Sequence, residues 1–350
     1  MRRERHAPVK SRAWIALSKR RRISDSIPRQ MKNASQSLEA ARSPLSQLPP
    51  KKIRDLPRTF LLDRLEGYYG ARPPVEAVEC DYELWECAET GLQFAWPARP
   101  GNLRFYEWVS GFASYYPGIR WEYGEVRRRL ESETAAAGKN FKLLDVGCGK
   151  GDFLHSLGFI PNENKFALDL NAPAVVECRR QGFQAFCGTM DTALAAGFLQ
   201  AGEFPVVTSF HCLEHVDEPV AFVRSLMGAV TPGGRLFIST PYSPMSFEPE
   251  WFDILNHPPH HMTRWNLAAY QRLAGLTGAK MRYFVPPSSP LQRAIQNFRL
   301  LQYGPHAAVG KAALLKDLLR RLPEFLRHYQ KQKRRRPVGA NVILVEFTVS

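Results

Sequence analysis

The chain has 350 residues, 44% of them hydrophobic, and a formal net charge of +15. This length admits one large domain with extensions or two smaller domains. No run of about 18 apolar residues occurs, which argues against a membrane-spanning helix and predicts a soluble, cytoplasmic protein.

Residues 1–57 are predicted to be a basic, disordered leader, because they lack the periodicity of a helix or a strand. Residues 1–33 hold eleven Lys or Arg against two acids, and the net charge without them is +6. A second basic block, KQKRRR, occupies 331–336. We interpret both as solvated charge, with nucleic acid, acidic lipid or an acidic polymer as alternative partners. A start codon assigned too early, before Met31, would also explain the leader.

Residues 58–130 are predicted to form a packed accessory region, because aromatic residues are dense there. The segment RFYEWVSGFASYYPGIRWEYG at 104–124 is the richest stretch. Trp108, Tyr115, Tyr116 and Trp121 are candidates for a lid or a substrate wall, with core packing as the alternative.

Short apolar runs alternate with helical patterns from 131 to 350. The strand-like runs are FKLLDVG (141–147), KFALDLN (165–171), FQAFCG (183–188), FPVVTSF (204–210), GRLFIST (234–240) and NVILVEFTV (341–349). Apolar strands that alternate with helices predict an α/β domain with a parallel sheet covered on both faces. A largely helical insert at 286–340 precedes the last strand.

Two helices of this domain carry clear end signals. One is predicted to begin at Pro219 with Asp217 as its cap. The other is predicted to run from a cap at Asn266 to a stop at Gly278.

The stretch LLDVGCGKGDF joins the first of these strands to a helix. A strand ending at Val146 places Asp145 and Gly147 at the carboxyl edge of the sheet, where ligands of open α/β folds bind. Gly147 and Gly149 let the backbone turn tightly and approach a ligand. Asp169 ends the second strand, 24 residues after Asp145. Its carboxylate can accept hydrogen bonds from both hydroxyls of a ribose.

A dinucleotide fits this turn poorly. Asp152 occupies the place of the third glycine in G-x-G-x-x-G and would face the pyrophosphate. Asp145 instead suits a ligand that carries an ammonium group. The glycine stretch, Asp169 and the LEHV…PGG…TP block at 213–241 together resemble the motifs of class I S-adenosylmethionine-dependent methyltransferases.

The resemblance covers about 140–285 and the last strand. It implies a Rossmann-like, doubly wound, mostly parallel seven-stranded sheet with an antiparallel last strand, and S-adenosyl-L-methionine as cofactor. It also implies a set of cofactor-binding residues: Asp145, Gly147, Cys148, Gly149, Asp169, Leu170, Met190, Asp191, Phe210 and His211. For Met190 and Phe210, core packing is the alternative.

Histidines are the candidate catalytic residues. His215 lies in LEHV, and His260 and His261 lie in NHPPHHMTRW, which resembles a segment of small-molecule methyltransferases linked to sugar and cell-envelope pathways. An imidazole can remove a proton from the acceptor as the methyl group transfers. No spacing here is a zinc signature, so no metal site is assigned. A divalent ion held by Glu214, His215 and this loop is an alternative.

Some of these relatives have an N-terminal zinc ribbon built from two C-x-x-C pairs. This chain keeps the matching end TGLQFAWPARP but has only Cys80 and Cys87, neither of them in a pair. We interpret the segment as a degenerate ribbon without metal. All six cysteines are predicted to be free thiols.

The sequence therefore predicts a methyltransferase that acts on a small molecule or a glycan or cell-envelope precursor. The fourth strand is not followed by the Asn/Asp-Pro-Pro-Tyr motif of amino-methylating enzymes, and Cys212 does not follow a proline as in cytosine C5 enzymes. One alternative is an RNA or protein methyltransferase recruited by the basic segments. The other is a non-catalytic cofactor-binding module. The acceptor atom and the oligomeric state stay open.

Overall fold

A computed structural model describes residues 41–112, 118, 120–137, 141–304, 309–334 and 340–349. Most of the basic leader, together with Tyr115 and Tyr116, therefore lies outside the described residues. Within them, no helix is both long enough and apolar enough to cross a bilayer.

The described strands are β1 (Lys51–Leu56), β2 (Tyr82–Glu86), β3 (Gln93–Trp96), β4 (Leu143–Val146), β5 (Lys165–Asp169), β6 (Gln184–Cys187), β7 (Phe204–Phe210), β8 (Val230–Pro241), β9 (Thr263–Arg264), β10 (Lys280–Phe284) and β11 (Val342–Thr348). The described helices are α1 (Arg58–Tyr69), α2 (Leu103–Val109), α3 (Trp121–Ala137), α4 (Asp152–Ser156), α5 (Ala172–Arg180), α6 (Met190–Ala195), α7 (Pro219–Gly228), α8 (Leu267–Thr277), α9 (Pro290–Tyr303), α10 (Lys311–Arg320) and α11 (Leu322–Arg334).

Seven strands form the main sheet in the order β10-β11-β8-β7-β4-β5-β6. The pairs from β8 to β6 are parallel, and β11 is antiparallel to both of its neighbours. Alternate side chains of β4 enter different cores, because Leu144 and Val146 pack in one cluster and Leu143 in the other. Burial on both faces explains why these strands are continuous apolar runs. The predicted fold class is confirmed.

A second sheet has the order β1-β2-β3-β9 and is antiparallel throughout. Its first strand lies inside the stretch that we assigned to a disordered leader, so that assignment is wrong for 51–56. Five of the six residues of β1 are exposed. The strand therefore lacks the alternation of apolar and polar residues by which half-buried strands are recognised.

Helix α3 spans the predicted boundary between 130 and 131, so the domain division cannot fall there. Val126 and Leu130 are fully buried and pack with Phe153 and Leu143 of the main sheet unit. The first residues of the α/β unit thus come from the segment that we counted as accessory. Downstream, α9, α10 and α11 occupy the described parts of 286–340.

The structure confirms the predicted ends of one helix and corrects the predicted cap of the other. Asn266 caps α8 by accepting a hydrogen bond from Ala269 N, and Gly278 ends it in the left-handed conformation. Helix α7 begins at Pro219, but the residue at its cap position is Glu218, whose side chain makes no capping bond. Asp217 is one residue too early to cap this helix.

Candidate active site

The glycine turn lies between β4 and α4, as the sequence predicts. Gly147 and Gly149 have φ angles of 74° and 53°, which favour glycine. The backbone amides of Gly147 and Cys148 both donate to Leu168 O, at 2.8 and 3.0 Å. A Cβ atom on Gly147 would lie only 2.0 Å from Cys212 Sγ. The turn therefore packs directly against the segment that follows β7.

Gly147→Ala is expected to lower the free energy of unfolding by about 1–3 kcal/mol from backbone strain, with a further loss from the clash with Cys212. Denaturant unfolding measures the change. A Gly147→Ala/Cys212→Ala double variant should regain only the part of the unfolding free energy that the clash removes. Gly67→Ala is the matched control, since Gly67 lies in α1 with open space around it and alanine favours helix. Equal stability of the Gly147→Ala variant and the wild type would contradict this account.

Asp169, at the end of β5, is held by the turn itself. Its Oδ2 accepts a hydrogen bond from Gly149 N and its Oδ1 accepts one from Asn171 N, both at 2.8 Å. The next residue, Leu170, is 74% exposed. The carboxylate is therefore fixed in orientation beside an apolar side chain that faces solvent.

Asp145 is buried beneath the turn. Thr208 Oγ1 of β7 donates to Asp145 Oδ1 at 2.7 Å. Burial raises the pKa of Asp145 to about 7, against the opposing effect of the Thr208 hydrogen bond. A buried carboxyl of this kind is suited to receive an ammonium group, which would favour its ionised form.

S-adenosylhomocysteine, which carries an ammonium group, is expected to bind more tightly as pH rises from about 6 to about 8. The ammonium group prefers the ionised carboxylate, so below the raised pKa binding must release a proton from Asp145. Calorimetric titration across this range, in buffers of different ionisation enthalpy, measures both affinity and proton release.

5′-Methylthioadenosine is the matched ligand because it lacks the amino-acid group. Its affinity should not follow the titration of Asp145, and Asp145→Asn should remove the pH dependence only for S-adenosylhomocysteine. If both ligands show the same pH dependence, it belongs to the ribose end of the site, where burial also raises the pKa of Asp169.

Several of the predicted cofactor residues are largely buried. Cys148 and Met190 are 8% and 4% exposed, and the Cys148 Sγ lies 3.8 Å from Cys178 Sγ as a free thiol. Phe210 packs its ring against Phe153. Asp191 is exposed in the first turn of α6. Cofactor contacts by these residues remain predictions.

His211, directly after β7, lies between two buried carboxylates. Its Nε2 is 2.7 Å from Glu122 Oε1 and its Nδ1 is 3.2 Å from Glu214 Oε1. Burial disfavours a charged imidazole, but the two carboxylates outweigh it and raise the pKa of His211. Among described non-glycine residues only His211 has a positive φ, of 54°. The two carboxylates thus hold His211 in a conformation that non-glycine residues rarely adopt.

The three predicted catalytic histidines lie together. One ring nitrogen of each of His215, His260 and His261 is within 4.8 Å of those of the other two. His215 Nδ1 is 2.7 Å from His260 O, and His260 Nδ1 is 2.9 Å from Leu255 O. His261 Nδ1 is 3.1 Å from Asn256 Oδ1. Carbonyl oxygens only accept, so the Nδ1 atoms carry the protons.

Burial keeps all three rings neutral. It lowers the pKa of His215, lowers that of His260 to about 3, and lowers that of His261 well below its usual value. His215 is the most accessible of the three. In a neutral imidazole protonated at Nδ1, the Nε2 atom has a free lone pair.

This histidine cluster (His215, His260, His261) lies near the glycine turn in the fold. Cys212, three residues before His215, is the residue that a side chain on Gly147 would strike. Met262 N donates to Glu214 O at 2.7 Å, which ties the loop of His260 and His261 to the same segment.

Sequence reasoning missed two residues of the site. The Tyr106 hydroxyl, from α2, is 3.4 Å from His215 Nδ1, and Glu122, from α3, contacts His211. Neither position stands out in a local pattern. Among the predicted lid aromatics, Trp108 packs its ring against Tyr69, so it belongs to the core of the accessory region.

Comparison with known proteins relates the chain to enzymes of one class. A family model described as "Methyltransferase domain" matches 119–285. A ubiquinone biosynthesis O-methyltransferase of Ralstonia nicotianae is 30% identical over 44% of this chain and 69% of its own length. One from Xanthomonas axonopodis pv. citri is 38% identical over 35% of this chain, but the match spans only about half of that relative, 48%. A solved methyltransferase from Archaeoglobus fulgidus superposes with a TM-score of 0.44 at 15% identity, over 69% of this chain and 99% of that one.

Proposed function

The chain belongs to the class I S-adenosylmethionine-dependent methyltransferases, and we propose that it methylates a hydroxyl oxygen of a small molecule. Two observations support oxygen as the acceptor. The relatives named above are O-methyltransferases, and the histidine cluster offers a neutral base for a hydroxyl proton. Glycan and cell-envelope precursors are among the hydroxyl compounds that this proposal includes.

The residues at the carboxyl edge of the sheet fit S-adenosylmethionine. Gly147 and Gly149 give the backbone its tight turn at this edge, and Asp169 offers a fixed carboxylate to a ribose. Asp145 offers a buried carboxyl to the ammonium group. Leu170 offers an exposed apolar surface to the adenine. When bound, the cofactor supplies an electrophilic methyl group on a sulfonium.

In this proposal His215 removes the acceptor proton. Its Nδ1–H is committed to His260 O, so the lone pair on Nε2 receives the proton of the hydroxyl. Transfer then depends mainly on holding oxygen and methyl group in line. Tyr106, whose ring lies next to that of His215, would shield the reacting oxygen from water. The observation on which the proposal depends most is the 2.7 Å contact between His215 Nδ1 and His260 O, which leaves the Nε2 lone pair for the proton.

The direct test is a labelled-methyl assay with the full chain and paired acceptors. Each pair presents the same ring or sugar with a hydroxyl or with an amine. We expect transfer to hydroxyl members, identified by mass spectrometry of the product, and much slower transfer by Asp169→Ala at low cofactor concentration. Transfer only to the amine members, or only to RNA or protein, would overturn the proposal.

A further inference from the structure

The histidine cluster contains more imidazoles than a single proton transfer requires. His260 and His261 are each less than 9% exposed, and their rings stack with centroids 4.5 Å apart. Each ring also lies 4.7 Å from the ring of His215. Two stacked imidazoles with a third set edge-on to both, in a buried space, call for a purpose beyond packing.

The proton positions in the cluster are fixed by its neighbours. Two of the Nδ1–H groups donate to backbone carbonyls. The third faces Asn256 Oδ1, and the orientation of that amide is set because Asn256 Nδ2 donates to Glu248 Oε1 at 2.7 Å. Consequently the Nε2 atom of every ring carries its lone pair. Histidines that ligate metals typically donate their other ring N–H to a carbonyl or carboxylate in this way.

A buried carboxylate supplies the negative charge that a cation needs. Glu214 is 1% exposed, and its Oε1 lies 4.0 Å from His261 Nε2. Neither Glu214 oxygen accepts a hydrogen bond of good geometry from the described residues. His211 Nδ1, at 3.2 Å, is close enough to Oε1 for an electrostatic contact. Because His211 also contacts Glu122, one imidazole faces two buried carboxylates, and a further cation would offset the cost of burying both.

We propose that His215, His260 and His261 bind one divalent transition-metal ion through their Nε2 atoms, with Glu214 providing charge compensation or a fourth ligand. Three imidazoles and one carboxylate suit zinc and its neighbours in the first transition row better than magnesium or calcium. In the metal-bound form the Nε2 atom of His215 is a ligand and no longer the base, and the ion would replace that base by lowering the pKa of a hydroxyl acceptor at the site. The inference goes beyond the proposed function, because metal binding can be measured without methyl donor or acceptor.

The test is titration of the chelator-treated full chain with Co²⁺, followed by visible absorption, and with Zn²⁺, followed by calorimetry. We expect one equivalent of each ion to bind, with the intense cobalt absorption of a four-coordinate site. Cu²⁺ added at one equivalent should show coupling to several imidazole nitrogens in pulsed electron paramagnetic resonance. This readout identifies the ligands without any substitution. No binding, or a spectrum without histidine nitrogen, would overturn the proposal.

Variants separate this site from surface histidines. His261→Gln should lower cobalt affinity at least tenfold, and Glu214→Gln should lower it while retaining the imidazole coupling. His155→Ala is the matched control, because His155 is exposed on α4. Thermal unfolding identifies variants that fail to fold, and the copper experiment on the wild type decides the question in that case. If the folded His261→Gln variant bound cobalt as tightly as the wild type does, the assignment of His261 as a metal ligand would be wrong.

Discussion

Asp169→Ala is expected to bind S-adenosylhomocysteine about 10- to 150-fold more weakly than the wild type. Hydrogen bonds to a charged group contribute about 1.5–3 kcal/mol, and the variant loses those that a ribose would donate to the carboxylate. It also removes the acceptor of Gly149 N, so the turn becomes less ordered. Calorimetric titration of the folded variant measures the effect.

The ligand that lacks the amino-acid group locates the lost contact. If Asp169 holds the ribose, 5′-methylthioadenosine should lose as much affinity as S-adenosylhomocysteine. Asp145→Asn, by contrast, should weaken only the ligand with the ammonium group. Unchanged affinity of both ligands for folded Asp169→Ala would remove the ribose assignment.

His215→Ala is expected to lower kcat/KM for a hydroxyl acceptor by about 10²- to 10⁴-fold, the usual contribution of a general base. The affinity for S-adenosylhomocysteine should change little, since His215 does not lie in the glycine turn. Added imidazole should restore part of the lost rate. His155→Ala, which alters an exposed imidazole, should match the wild type in every measurement.

The pH profile gives an independent check on the same residue. Burial lowers the pKa of His215 below its usual value of 6.5, and a base works in its unprotonated form. Measured for the acceptor at saturating cofactor, the wild-type kcat/KM should therefore stay level through neutral pH and fall only below about 6.5. A fall with its midpoint above pH 7, or an unchanged rate in His215→Ala, would exclude His215 as the base.

The placement of the proposed cofactor residues could be predicted because its signals are local. Asp145, Gly147 and Asp169 stand at the ends of continuous apolar strands, and parallel strands bring such ends to one edge. The backbone conformation at Gly147 can be expected from the residue type alone. Even the cap at Asn266 follows from its neighbours in the sequence.

The acceptor half could be predicted only in part. The sequence marks His215, His260 and His261 as candidates, but their meeting depends on a loop that returns from beyond β8. Glu122 lies in a helix with many charged residues, so its sequence context predicts a solvated side chain. In the structure it instead bonds to His211, 89 residues away. Such contacts arise from tertiary packing and cannot be predicted from the spacing of residues along the sequence.

Strand β9 determines how this protein could be recombined with its relatives. The strand pairs with β3 directly after the histidine loop, and Tyr106 reaches His215 from α2. The loop is thus anchored in a sheet built mainly from the segment before the family-model match. A chimera that exchanged this N-terminal segment would also exchange Tyr106 and most of the sheet that anchors the histidine loop, whereas β4, β5 and β7 would retain the proposed cofactor residues. We therefore expect such a chimera to change its choice of acceptor more than its affinity for the methyl donor.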